Sequence, residues 1–401
     1  MVVTGISGIG LGRVVDLVSK EVGAAVAKFE DFVEDEFKAP IYHVAELLLV
    51  DYKRTAGRFE RAFTKMVESL RGSKYAVIAM HSMYYRRSNI VSNPAIGYLA
   101  RLGAEVSVID YFDDYYHVLH RLATRIAHGE TPGVASFQVI DPAGLLYWRS
   151  AQESVSRLIP LGGGEAYVYA SKHTREGHLR LFSYILGIQP DEGVQYRSAY
   201  ISHPITKLRE YAIRHSTPLS RLGEVTEIEK FKQELERACP NLVVFSPTAI
   251  DELILSPETN TLQINITRDM RWPHPENRIH EYPYPVDLSS ELFNEYLYPV
   301  DETVKNTGYL SFLKTLIETS IERRDLGYVS QADFVIAYRP TMFSEVHMGV
   351  ETEIKTAVAM SKPVYSIIPA EERDISYKLF RFEYPLSSLE ELLYILKCSR
   401  R

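Results

Sequence analysis

Cysteine and tryptophan are scarce in this chain, with two of each in 401 residues. The cysteines, Cys239 and Cys398, stand far apart with no CxxC pair, so neither a disulfide framework nor a zinc site is expected, nor any other metal. No apolar run approaches the length needed to span a bilayer, and the apolar N-terminus carries no basic leader. Positive charge is not in excess either. Lys and Arg number 45 against 52 Asp and Glu, a net charge of −7 that argues against a surface built to grip nucleic-acid phosphates. Internal repeats and low-complexity tracts are missing too. These absences lead to the expectation of a cytoplasmic protein without membrane or nucleic-acid partners.

What is present points to globular structure. Hydrophobic residues make up 46% of a chain too long for one ordinary domain, so about two domains are expected. In the first half, short apolar runs alternate with helical stretches: MVVTGISGIG, then the helix-like GRVVDLVSKEVGAAVAKF, YAVIAMH (75–81), AEVSVIDYFDD (104–114) and GEAYVYASKH (164–173). Such alternation reads as a parallel sheet covered by helices. IQPDEGVQ holds proline, glycine and acids between two periodic segments, which places a linker at 188–196 between domains at 1–187 and 197–401. The second half restarts with strands in SAYISHPI (198–205), NLVVFSPT (241–248), ADFVIAYRP (332–340) and a last one in KPVYSIIP (362–369). An insertion at about 255–305, rich in proline and tyrosine, favours extended or loop structure and fits either a functional lid or subunit contact, or a surface insertion packed by its own aromatics. The fold class is therefore α/β, with two parallel-sheet three-layer domains.

Near the N-terminus, VVTGISGIGLGR places Gly5, Gly8 and Gly10 between a strand and a helix, where backbone N–H groups can approach a phosphate. The spacing matches GxxxxGK[ST] until its end, where Leu11 and Gly12 replace the lysine and the Mg²⁺-binding hydroxyl, and Arg13 comes one position late. A GxGxxG reading fails as well, because Arg13 stands where its last glycine belongs. A strand–turn–helix corner without a ligand also fits. With YAVIAMHSMYY and SVIDYFDDYYHVLHRLATR, the segment resembles the archaeal adenylate-kinase and small P-loop nucleotide-kinase family. The resemblance implies a P-loop kinase-like fold over 1–187, with Arg121 and Arg125 closing over phosphates. It makes ATP with Mg²⁺ the cofactor of this degenerate loop.

The richest constellation is ERRDLGYVSQADFVIAYRPTMFSEVHMGVETEIKTAVAMSKPVYSI. ADFVIAY reads as a buried strand and MGVETEIKTAVAMS as a helix, with Gly349 at the turn and Glu351 and Glu353 in the first turn. Acids there serve equally as caps, but at the carboxyl end of a parallel sheet they also face the crevice where ligands bind. Asp333 begins the strand, Asp325 lies eight residues earlier in the preceding connection, and Tyr200 sits in AYISHP. This layout resembles the nucleoside 2-deoxyribosyltransferase family and the related deoxynucleoside-monophosphate N-glycosidases, most clearly in EIKTAVAMSKPV.

That resemblance implies a flavodoxin-like second domain in which Glu353 is the nucleophile, Tyr200 positions it and Asp325 orients the substrate, helping the base depart as a general acid. It implies substrate contacts at Asp333 and Gly349. His347 stands where the family places an aspartate, with Glu345 two residues earlier. Ser202 and His203 are candidates for a 5′-phosphate, although Ser202–His203–Pro204 also fits a strand-terminating turn. The implied reaction breaks the C1′–N bond of a nucleoside or nucleotide, needs no cofactor, and belongs to a homo-oligomer whose sites are completed across subunits. A non-catalytic nucleotide sensor and a nucleotide kinase with an atypical loop remain the alternatives.

Overall fold

Val2–Gly5, buried at every position, forms β1, and the glycines after it turn the chain into α1 (Leu11–Val22). Leu11, Val14, Val15 and Val18 put one apolar stripe of α1 against the sheet. The segment expected to continue as helix to Phe29 does not. Gly23 adopts a left-handed conformation (φ 69°) that closes α1, and Ala25–Lys28 becomes a strand, β2, before α2 (Phe29–Phe37). This computed structural model describes residues 1–86, 89–115, 117–119, 121–122, 142–189, 194–250, 252, 307–339, 348–368 and 383–398. The 255–305 insertion, Arg125, Glu345 and His347 lie outside those residues.

After α3 (Ile41–Val50) and α4 (Tyr52–Ser69) come β3 (Ala76–Ala79), an antiparallel pair β4 (Met83–Arg86) and β5 (Asn89–Ser92), and β6 (Val108–Phe112). Helix α5 (Pro142–Ser156) and β7 (Ala166–Ala170) follow. The first sheet runs β2-β3-β1-β6-β7, all parallel, over a core that includes Phe29, Phe59, Phe63, Ile78 and Val108. Central β1 lies between β3 and β6, so connections leave it in opposite directions and open a crevice at the carboxyl ends.

The second sheet is built from β8 (Arg197–Ser202), β9 (Leu242–Phe245), β10 (Phe334–Tyr338), β11 (Val364–Ile367) and β12 (Glu383–Leu386). The helices that follow are α6 (Arg175–Leu186), α7 (Thr206–Arg214), α8 (Gly223–Ala238), α9 (Thr307–Gln331), whose part from Ile321 on belongs with this sheet, α10 (Met348–Ala359) and α11 (Leu389–Ile395). Its order, β12-β11-β10-β8-β9, is parallel throughout and matches the flavodoxin-like 2-1-3-4-5 arrangement, whose switch point lies between the first and third strands, here β8 and β10. The expected α/β class with two parallel sheets is thus observed, with one strand, β12, that lies beyond the expected last strand. Among the described residues, one compact unit comprises 1–175 and 307–320, and the other 176–252 and 321–398. No helix among the described residues is long and apolar enough to cross a membrane.

The cysteines overturn an expectation. Cys239, which ends α8, and Cys398, just beyond α11, form a disulfide with their Cα atoms 5.0 Å apart at a sequence separation of 159. Leu235, Leu392, Leu393 and Leu396 bury the helix ends in one apolar cluster with Cys239, which brings together two residues that spacing alone separates. A cross-link closing so long a loop restricts the unfolded chain strongly, by about 3–5 kcal/mol. Reduction, or the double change Cys239→Ala and Cys398→Ala, is expected to lower the denaturant midpoint of the second unit accordingly. An unchanged unfolding curve under dithiothreitol would contradict it.

Candidate functional site

At the switch point of the second sheet, Tyr200 and Ser202 alternate along β8 onto one face. Glu353, in the second turn of α10, reaches that face from the element after β10. The Tyr200 hydroxyl donates to Glu353 Oε1 at 2.8 Å, and the Ser202 hydroxyl donates to Oε2. Glu351, two residues away, turns outward to an ion pair with Lys355. The two glutamates of the first turns therefore have opposite fates: one is solvated and one is held in the sheet crevice.

Asp325 projects from α9, the helix that forms the connection before β10, and Arg324 Nε donates to its Oδ1 at 2.9 Å. Burial pushes the Glu353 carboxyl up to about 8, the Asp325 charge pushes the same way, and the Ser202 and Tyr200 hydrogen bonds oppose both. Asp325 is raised by burial, against the pull of Arg324. Burial, Glu353 and Asp325 all raise the Tyr200 phenol, which keeps it a permanent donor. Tyr328 stacks on Phe245 with centroids 5.5 Å apart and lies 6.0 Å from the Tyr200 ring, forming an apolar wall beside the carboxyl groups. Tyr200, Glu353 and Asp325 thus converge as one electrostatically linked group.

Other expected site residues are placed elsewhere. Asp333 accepts from the Ser198 backbone N–H at 2.7 Å and from Ser198 Oγ at 3.1 Å. Ser198 opens β8, so this aspartate ties the amino ends of two strands, about 13 Å along the strand from Ser202. It is a strand anchor and not part of the crevice. His203 is buried, and burial together with the Lys232 ammonium holds it well below the usual imidazole range, so it brings no charge to a phosphate. Ser202 is already committed to Glu353. Gly349 lies exposed in the first turn of α10, and a Cβ added there meets nothing within 4 Å, so no tight turn requires it.

In the first unit, the glycine loop after β1 is filled by protein. A Cβ on Gly5 would lie 2.7 Å from the Tyr111 carbonyl oxygen. Gly8, at φ +90°, would meet Val118 Cγ1 at 3.1 Å and Leu122 Cγ at 3.2 Å. These glycines let the loop pack against β6 and the helical residues after it. Gly10 caps α1, Leu11 is buried, and Arg13 is exposed beside a surface groove lined by Lys20, Lys28 and Arg175. With Leu11 and Gly12 in place of the lysine and the hydroxyl, the loop lacks the two side chains that hold a magnesium-nucleotide.

Beside that loop sits a charged cluster of which sequence reading named only Arg121, expected over phosphates but found on Asp113. Asp113 and Asp114 follow β6, and Lys172 follows β7 with no exposed surface. Lys172 pairs with Asp114, and Arg121 with Asp113 at 2.6 Å. Burial alone would raise Asp113, but Arg121, Lys172 and His117 hold it well below the usual carboxylate range. Oxygens of Asp113 and Asp114 and a nitrogen of His117 lie within 4.8 Å of one another, as a metal would require. The Lys172 ammonium, however, is paired with Asp114 there and supplies the compensating charge itself.

Neither the protein-family models nor the curated proteins include a match to this chain. Among solved structures, shikimate kinase from Bacteroides thetaiotaomicron is similar at a TM-score of 0.32 and 12% identity, over 46% of this chain and 97% of that one. At that level nothing about substrate or site transfers.

Arg324, Arg209 and Glu252 complete the charges around Asp325 and were not singled out from sequence. Arg324 had one visible signal, its place directly before Asp325; Arg209 and Glu252 had none, because they come from distant segments. A carboxyl group ionised in the unfolded chain but neutral in the fold makes stability fall as pH rises between the two values. For Glu353 that window runs from 4.5 to about 8. Glu353→Gln is therefore expected to match wild type in melting temperature at pH 4 and to exceed it at pH 8.5, at about 2–4 °C per kcal/mol. Parallel melting curves across that range would count against a buried, proton-holding Glu353.

Proposed function

We propose that the second unit cleaves the C1′–N bond of a nucleoside or nucleotide, as an N-glycosidase or deoxyribosyltransferase with Glu353 as nucleophile. The observation that carries this reading is a single carboxyl group gripped by Tyr200 and Ser202 at the sheet's switch point, with the Asp325 charge beside it. Leaving-group departure builds positive charge on the sugar ring, and a carboxylate next to C1′ stabilises it. Glu353 in its ionised form attacks C1′ and forms a glycosyl ester while the C1′–N electron pair leaves with the base. Water, or an acceptor nucleobase, then takes the sugar from the ester and regenerates the carboxylate.

The two hydroxyl groups hold the Glu353 oxygens so that attack starts from one orientation, and their hydrogen bonds favour the ionised form. Asp325, paired with Arg324, adds a second carboxyl group within electrostatic reach of Glu353.

Glu353→Gln is expected to abolish release of free base from a panel of nucleosides and nucleotides followed by mass spectrometry. Tyr200→Phe is expected to lower kcat about 10- to 100-fold, the loss of one hydrogen bond to a charged group. In wild type, kcat/KM is expected to climb with pH as Glu353 ionises near pH 8. Base release that survives Glu353→Gln, or its absence from every compound with the wild type, would end this reading.

A further inference from the structure

Arg324 and Asp325 are consecutive on α9, and consecutive helical side chains diverge. Their 2.9 Å ion pair therefore needs a reason beyond sequence, and the reason is an anchor from another strand. Arg324 Nη2 donates to the Pro247 carbonyl oxygen at 3.1 Å, in the turn that follows β9. That bond folds the guanidinium back over its own helix, where Nε meets Asp325. Arg324 is 6% exposed, and its Nη1 is buried without an acceptor, so Asp325 is the one carboxylate to which it is hydrogen-bonded. Leaving a buried guanidinium nitrogen unsatisfied is costly. The fold accepts that cost while keeping the arginine next to one of two neighbouring carboxyl groups.

We propose that Arg324 is a positioning residue for these two carboxyl groups: its ion pair makes Asp325 the group that ionises first and leaves the proton on Glu353. Two adjacent buried carboxyl groups give up their protons in two steps, and an asymmetric cation decides the order. Several groups face the pair. Glu252, after β9, and Arg209, on α7, act on Asp325 with opposite signs. Tyr328 and Glu252 act on Arg324. Tyr200, Ser202 and Asp325 surround Glu353, while Arg324 reaches it with a weaker pull. Of these, Arg324 alone forms an ion pair with Asp325 among the described residues. Asp325 therefore rests as the carboxylate, and Glu353 must shed its proton before it attacks. This inference deepens the glycosidase reading but concerns the proton order, which can be measured without turnover.

The test is a ¹³C NMR titration of the Glu353 and Asp325 carboxyl groups in the full chain. Arg324→Gln removes a positive charge, so both titrations are expected to move to higher pH, that of Glu353 by about one unit. Asp325→Asn removes a negative charge, so Glu353 is expected to move to lower pH. Arg324→Lys keeps a charge but loses the fork that spans Asp325 and Pro247, and a smaller upward shift is expected. It also decides the matter if Arg324→Gln does not fold. In turnover, Arg324→Gln is expected to lower kcat/KM about tenfold at pH 7 and little at pH 10. A purely structural arginine would lower it equally at every pH. An unmoved Glu353 titration in the folded arginine variants overturns the proposal. Shifts as expected with no base released from any compound leave the proton order standing and remove the glycosidase reading instead.

Discussion

Two carboxyl groups taken out of water within electrostatic reach of each other are the constraint on which the second unit's site depends. Neither Glu353 nor Asp325 can be ionised there without compensation, and each has a different kind. Glu353 has neutral donors, the hydroxyl groups of Tyr200 and Ser202, while Asp325 has a full positive charge in Arg324. The donors come from β8, the Glu353 carboxyl group from α10, and the cation is held by the turn after β9. The sheet order brings these elements to one edge, because β8 and β10 are neighbours at the point where the connections reverse. Asp333 anchors the other end of the same pair of strands and so helps set the register on which the site relies.

The first unit solves a related problem in the opposite way. Lys172, Arg121, Asp113 and Asp114 satisfy one another within the protein, and Val118 and Leu122 fill the space over Gly8. A glycine loop at the end of a central strand therefore has two physical uses. It can bring backbone N–H groups to a phosphate, or it can let a neighbouring helix come close. Here the second use is visible, and it accounts for Gly5 and Gly8 without a ligand.

Local pattern made most strands legible. Runs such as VVTG, ADFVIAY and NLVVF are short, apolar and bounded by polar residues, and each became a buried strand. The failures have local causes too. AVAK was absorbed into a helix because Ala and Val continue the apolar count, whereas Gly23 in a left-handed conformation ended the helix before it. EYPL, at β12, is too short and polar to stand out, and pairing with β11 makes it a strand.

By itself, the sequence determined the alternation that yields two parallel sheets, and it placed two carboxyl groups, Glu351 and Glu353, where a helix begins after a central strand. Only the tertiary structure decided partners. It joined Cys239 to Cys398 across 159 residues, turned Asp333 into an anchor, gave Ser202 to Glu353, and bent Arg324 onto Asp325 through Pro247. Periodicity records which face of an element is buried, because burial repeats with the geometry of that element. It carries no record of which distant residue shares that burial, and charge, hydrogen bonding and cross-linking all depend on that distant residue.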